Sequence, residues 1–117
     1  QELMAKLASR WRDGLNILEK LDIRGRADAE LELAIARTCH NHFESVANQL
    51  QFYLLRDEYS GATPDRQRAI REEMIKLAMR ERELAIAQYQ VARKESRIGY
   101  EASNHYYYTH IDLWRRC

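Results

Sequence analysis

An all-α fold, an antiparallel bundle of three long helices, is predicted by three observations. Apolar residues recur at helical spacing along most of the 117-residue chain. Four Gly and one Pro are too few for turn-rich β structure. Charged residues make up 32% of the chain, and their signs alternate as on solvated helix faces.

The spacing predicts a first helix over about residues 2–22. Leu3, Leu7, Trp11, Leu15, Leu18 and Leu21 form one wide apolar face. Gly14 lies on the same side, where it would allow a close helix approach. Gly25 is the natural break, and Asp28 is the expected cap of the next helix. That second helix is predicted over 28–59, with Leu31, Ile35, Cys39, His42, Phe43, Val46, Leu50 and Tyr53 facing inward and His40 facing solvent. Ser60-Gly61-Ala62 ends it.

The third start is the best-marked boundary. Thr63 is placed to cap, Pro64 to occupy the first helical position, and Asp65 to sit at the positive end of the helix dipole. The helix is predicted over 64–97. Its main stripe is Ile70, Met74, Leu77, Ala78, Glu81, Leu84, Ala85, Gln88, Val91 and Ala92. A second stripe of Ile75, Met79 and Ile86 lies on the far side and suits a homodimer or another covering partner. Residues 98–117 form a Tyr-rich tail, in which Thr109 and Asp112 are spaced to cap a short last helix. The periodic pattern is already running at Leu3-Met4 and still running at Leu113-Trp114, so the 117 residues are expected to be one domain of a larger protein.

Composition bounds the function. A net charge of +1 gives no long-range attraction to nucleic acid or to an anionic membrane surface. No apolar run approaches the roughly 18 residues of a membrane span. Cys39 and Cys117 stand far apart, with no paired Cys/His spacing for zinc. Cys39, His40 and His42 diverge by roughly 60–160° around a helix and cannot converge on one ion. No Glu is followed three positions later by His, as di-iron bundles require. The run from Arg66 to Arg82 reads as a solvated face, with Arg68–Glu72 and Glu72–Lys76 as i,i+4 pairs. No metal, cofactor or catalytic residue is therefore assigned.

Two places hold unusual chemistry. The first is a polar seam, His42 on the second helix with Glu81 and Gln88 on the third, all within predicted core stripes. A hairpin turning about Gly61 sets level those residues whose numbers add to 122 or 123, and His42 with Glu81 gives 123. A bond between them is expected, either fixing helix register or serving a small-ligand site. The second is the tail, where Tyr100, Asn104, His105 and Tyr107 offer rings with polar tips. Such side chains suit a domain interface or a sugar.

The segment Arg97-Ile98-Gly99-Tyr100-Glu101-Ala102-Ser103-Asn104-His105-Tyr106-Tyr107-Tyr108, followed by Thr109 and Asp112-Leu113, resembles the C-terminal region of large bacterial glycoside-hydrolase-like proteins. There, a helical part follows a sugar-processing part. The resemblance covers the last quarter of the chain and has His110 where proline is expected after Thr109. It implies a periplasmic or extracellular, carbohydrate-processing parent. The expectation is then a non-catalytic helical module packed against that parent. The alternatives are a ligand-binding bundle using His42, Glu81 and Gln88, or a dimerisation module using Ile75, Met79 and Ile86.

Overall fold

A computed structural model describes residues 2–94 and 98, and within them the chain is all-α. Three helices follow one another: α1 (Glu2–Leu18), α2 (Ala27–Tyr59) and α3 (Pro64–Ala92). At 1.5 Å per residue the 33 residues of α2 span about 50 Å. It is the middle member of the bundle. α1 packs on one side of it and α3 on another, and the backbones of α1 and α3 do not approach each other. Both neighbours run antiparallel to α2, as the pairs Arg12–Glu44 and Glu19–Arg37 show for α1 and Ser45–Glu81 and Glu58–Arg66 show for α3.

The first helix is shorter than the predicted 2–22. After Leu18 the chain tightens into i→i+3 turns, Lys20 N–H to Ile17 O and Leu21 N–H to Leu18 O. Asp22 then draws the backbone N–H and the guanidinium of Arg24 onto its carboxylate. This stretch places Glu19 and Asp22 at the negative end of the helix dipole, with no basic residue in the last turn to oppose them. Gly25 reverses the chain at φ 79°, a left-handed conformation that favours glycine. Asp28 does not cap α2. It lies inside the first turn, and Glu30 reaches back to the Gly25 N–H at 3.3 Å instead.

The start of α3 follows the prediction. Thr63 Oγ1 accepts from the Arg66 N–H, and Pro64 is the first helical residue. The helix ends at Ala92, before the predicted 97, and residues 93–94 are a turn. Residues 95–97 and the predicted tail, except residue 98, lie outside the described residues.

The buried apolar residues are Ala8 and Leu15 of α1, Leu55 of α2, and Ile70, Leu84 and Ala85 of α3, with Ile70 fully enclosed. The main α3 stripe is thus where periodicity puts it, apart from Ala78, which is exposed. The α2 stripe is not. Ile35, His42, Leu50 and Tyr53 are exposed, because a helix flanked on two sides spreads its contacts over two faces rather than one. Gly14 admits no close approach either, since a Cβ built there meets nothing within 4 Å. The pairs Arg68–Glu72 and Glu72–Lys76 are not made. The main clamp in that stretch crosses the hairpin, with Arg66 bidentate on Glu58 and also reaching Glu73.

Candidate functional site

The chemistry of the described residues gathers where α2 meets its two neighbours. On α2, Thr38, Asn41, Ser45 and Asn48 recur at intervals of three and four, which aligns them on one side of a helix. That side faces α3. Thr38 donates its hydroxyl to Ala34 O, as Ser and Thr commonly do within a helix. Its oxygen is then free to accept from Gln88 Nε2 at 3.1 Å. Gln88 Oε1 in turn accepts from Asn41 Nδ2 at 3.0 Å. About two turns on, Glu81 receives Ser45 Oγ at 2.7 Å and Asn48 Nδ2 at 2.8 Å, one on each carboxylate oxygen. Gln88 is buried, and both of its amide groups are satisfied. Buried polar groups matched in this way avoid the desolvation cost of an unmet donor or acceptor.

The expected bond between His42 and Glu81 is not formed. His42 is exposed, with the ring of neighbouring Phe43 beside it, and Glu81 takes its donors from Ser45 and Asn48. Side-chain direction accounts for the error. Each Cα–Cβ bond tilts toward its own helix N-terminus, so a side chain covers a spot about one residue before its Cα. In an antiparallel pair both partners lean this way, and the numbers of touching residues add to about two more than the level positions do. The observed pairs all lie above the level value but spread widely: Glu44 with Arg80 gives 124, Ser45 with Glu81 gives 126, and Asn41 with Gln88 gives 129. His42 is exposed, off the face that Thr38, Asn41, Ser45 and Asn48 turn to α3, so Glu81 meets their donors instead.

The assignments of His40 and His42 are likewise exchanged. His40, expected in solvent, is the half-buried one, and it belongs to a second cluster centred on Glu44. Glu44 is only 8% exposed and faces both outer helices. One of its oxygens, Oε1, accepts from Arg80 Nε at 2.9 Å and Arg80 Nη2 at 2.6 Å on the α3 side, and from Arg12 Nη2 at 2.7 Å on the α1 side. The other, Oε2, lies buried with no hydrogen-bond partner, and His40 Nε2 stands 3.2 Å from it. Burial pushes the Glu44 carboxyl up, but the guanidinium groups of Arg80 and Arg12 outweigh it and hold the group below the ordinary carboxylate range. The same bonds, Glu44 first and Glu83 after it, raise Arg80. Trp11 completes the α1 contact, donating its indole N–H to Ala36 O at 2.8 Å and meeting Phe43 edge-on at 5.3 Å.

A groove of about 360 Å³ opens on the α2–α3 face, lined by Phe52, Arg71, Met74, Ile75 and Ala78. A smaller one, lined by Arg56, Tyr59, Arg71 and Met74, continues it. None of His42, Glu81 and Gln88 lines either groove. Tyr100, Asn104, His105 and Tyr107 lie outside the described residues. Among the described residues no group of three or more His, Cys, Asp or Glu is placed to hold a metal ion, and no helix is long and apolar enough to cross a membrane.

Sequence reasoning passed over Glu44, Arg12 and Arg80, because nothing in periodicity distinguishes them from surface charges. The Thr38-Asn41-Ser45-Asn48 spacing was the available signal, a polar stripe beside an apolar one on the same helix. No protein-family model, curated protein or solved structure matches this chain.

Proposed function

We propose that this chain is a non-catalytic helical docking module, which seats an amphipathic, acidic segment of the larger protein it belongs to in the groove between α2 and α3. The makeup of that groove carries the reading. Its floor of Phe52, Met74, Ile75 and Ala78 is apolar, and Arg71, common to both grooves, has no anionic partner among the described residues. Ile75 and Met79 extend the apolar surface and are 59% and 62% exposed. Exposed apolar surface rimmed by charge is the usual mark of an interaction site. A helix that lays apolar side chains into the groove and offers a carboxylate to Arg71 matches both features. Arg56, stacked on Tyr53 and paired with Asp57, supplies a second cation at the hairpin end. The link to a carbohydrate-processing parent is carried by the resemblance of the tail alone.

Two helical peptides of equal length test this reading, sharing one leucine stripe but flanked by Glu in one and Lys in the other. Fluorescence anisotropy should show the acidic peptide binding and the basic one not, with Arg71→Glu reversing the preference. Equal binding of both peptides, or of neither, overturns the proposal. Sedimentation velocity supplies the rival outcome. A dimer that Ile75→Arg dissociates would put a second copy of the chain on this face in place of an acidic segment.

A further inference from the structure

The hydrogen-bond chain that crosses α2 and α3 ends on His40 and dictates which of its nitrogens carries a proton. Thr38 Oγ1, having given its hydrogen to Ala34 O, takes one from Gln88 Nε2. Gln88 must then present Oε1 to Asn41 Nδ2, which leaves Asn41 Oδ1 facing His40 Nδ1 at 3.4 Å. An amide oxygen there calls for a hydrogen on Nδ1. In the neutral ring the lone pair accordingly sits on Nε2. Two groups compete for that atom. Arg12 Nε, on α1, is 3.3 Å away and can donate to it. Glu44 Oε2, buried on α2 without a hydrogen-bond donor, is 3.2 Å away and can only accept from it.

We infer that His40 is a proton-operated latch on α1. Neutral His40 accepts from Arg12 and leaves Glu44 Oε2 unmet. Protonated His40 donates to Glu44 Oε2 and sets a like charge against the Arg12 guanidinium. The charged groups facing the ring are Arg12 from α1 and Glu44 from its own helix, with Arg80 of α3 held on the far oxygen of that carboxylate. With His40 charged, three cations share one carboxylate. Arg12 is the most exposed of them and holds Glu44 by one N–H group where Arg80 holds it by two, so it is the partner that yields. Acid therefore trades a bond between helices for one within α2, and α1 loosens.

Amide hydrogen exchange of the full chain, corrected for intrinsic rates, tests the latch between pH 7.5 and pH 5.5. The α1 amides are expected to exchange roughly fivefold faster at the lower pH, the loss of about one hydrogen bond between helices. The α3 amides should not follow. His40→Gln, which accepts from Arg12 at either pH, should abolish the difference, and His42→Gln should keep it. An α1 rate that ignores pH, or a difference that survives His40→Gln, overturns the inference. Should His40→Gln fail to fold, nitrogen NMR of the wild-type imidazoles decides. A neutral His40 protonated on Nε2 rather than Nδ1 refutes the latch, and one protonated on Nδ1 that gains its second proton as the α1 amides speed up supports it.

Discussion

Glu44→Gln removes the charge at the meeting point of the three helices and keeps the shape. Three N–H groups, two from Arg80 and one from Arg12, fall on a single oxygen of Glu44. Hydrogen bonds to a charged group contribute about 1.5–3 kcal/mol each, and breaking a buried ion pair costs about 3–5 kcal/mol. Two features bring the figure down. The arginine side chains are 41% and 48% exposed and recover water when released, and glutamine still offers an oxygen to accept. The expected loss is about 2 kcal/mol, which for a domain near 100 residues lowers Tm by about 10 °C. The pH dependence has a definite sign. Glu44 is held below the ordinary carboxylate range, so its contribution is complete above that range and disappears as pH falls through the lowered value. Thermal unfolding followed by circular dichroism should therefore separate wild type from Glu44→Gln at pH 7 and bring them together in acid, below the range in which an ordinary carboxylate titrates. A Tm change under about 2 °C at pH 7, or a gap that persists in acid, would refute the reasoning.

Ile70 is fully enclosed, so Ile70→Ala should cost about 3 kcal/mol, read from the denaturation midpoint in urea with an unchanged m-value. The glycines should respond in opposite directions to alanine. Gly14 is inside α1 with open space around it, and Gly14→Ala should stabilise by about 1 kcal/mol. Gly25 sits at φ 79°, and Gly25→Ala should destabilise by about 1 kcal/mol although a Cβ would touch nothing there. Equal effects at both glycines in chemical denaturation would contradict the assigned backbone.

What could be read from the sequence divides along a physical line. Thr63-Pro64-Asp65 is a local signal, complete within one turn, and α3 begins where it says. The α3 stripe is also legible because that helix has one neighbour among the described residues, so a single apolar face describes it. α2 has two neighbours, and no single stripe can represent two contact faces. Glu44 was invisible because its burial depends on Arg12 and Arg80, which lie 32 residues before it and 36 after it. His42 and Glu81 illustrate a subtler limit. Periodicity and hairpin register both treat a residue as a point on an axis, whereas the contact is made by side-chain tips displaced along it. Of the ligand-site candidates, Gln88 is in the core as expected, tied to Thr38 and Asn41.

The amide and carboxylate ladder between α2 and α3 also limits how the hairpin can move. Greasy helix faces can slide by a turn with little penalty, because one leucine resembles the next. Here a slide of one turn would bring Leu77 or Ala85 opposite Ser45 and Asn48 and break both bonds that Glu81 makes. Gln88 would leave Thr38 and Asn41 at the same moment. Ratcheting along the common axis is thus opposed by every rung of the ladder. A guest in the groove beside Phe52 and Met74 can spread the two helices or roll one on the other, but any message it sends toward the far end must travel by those motions.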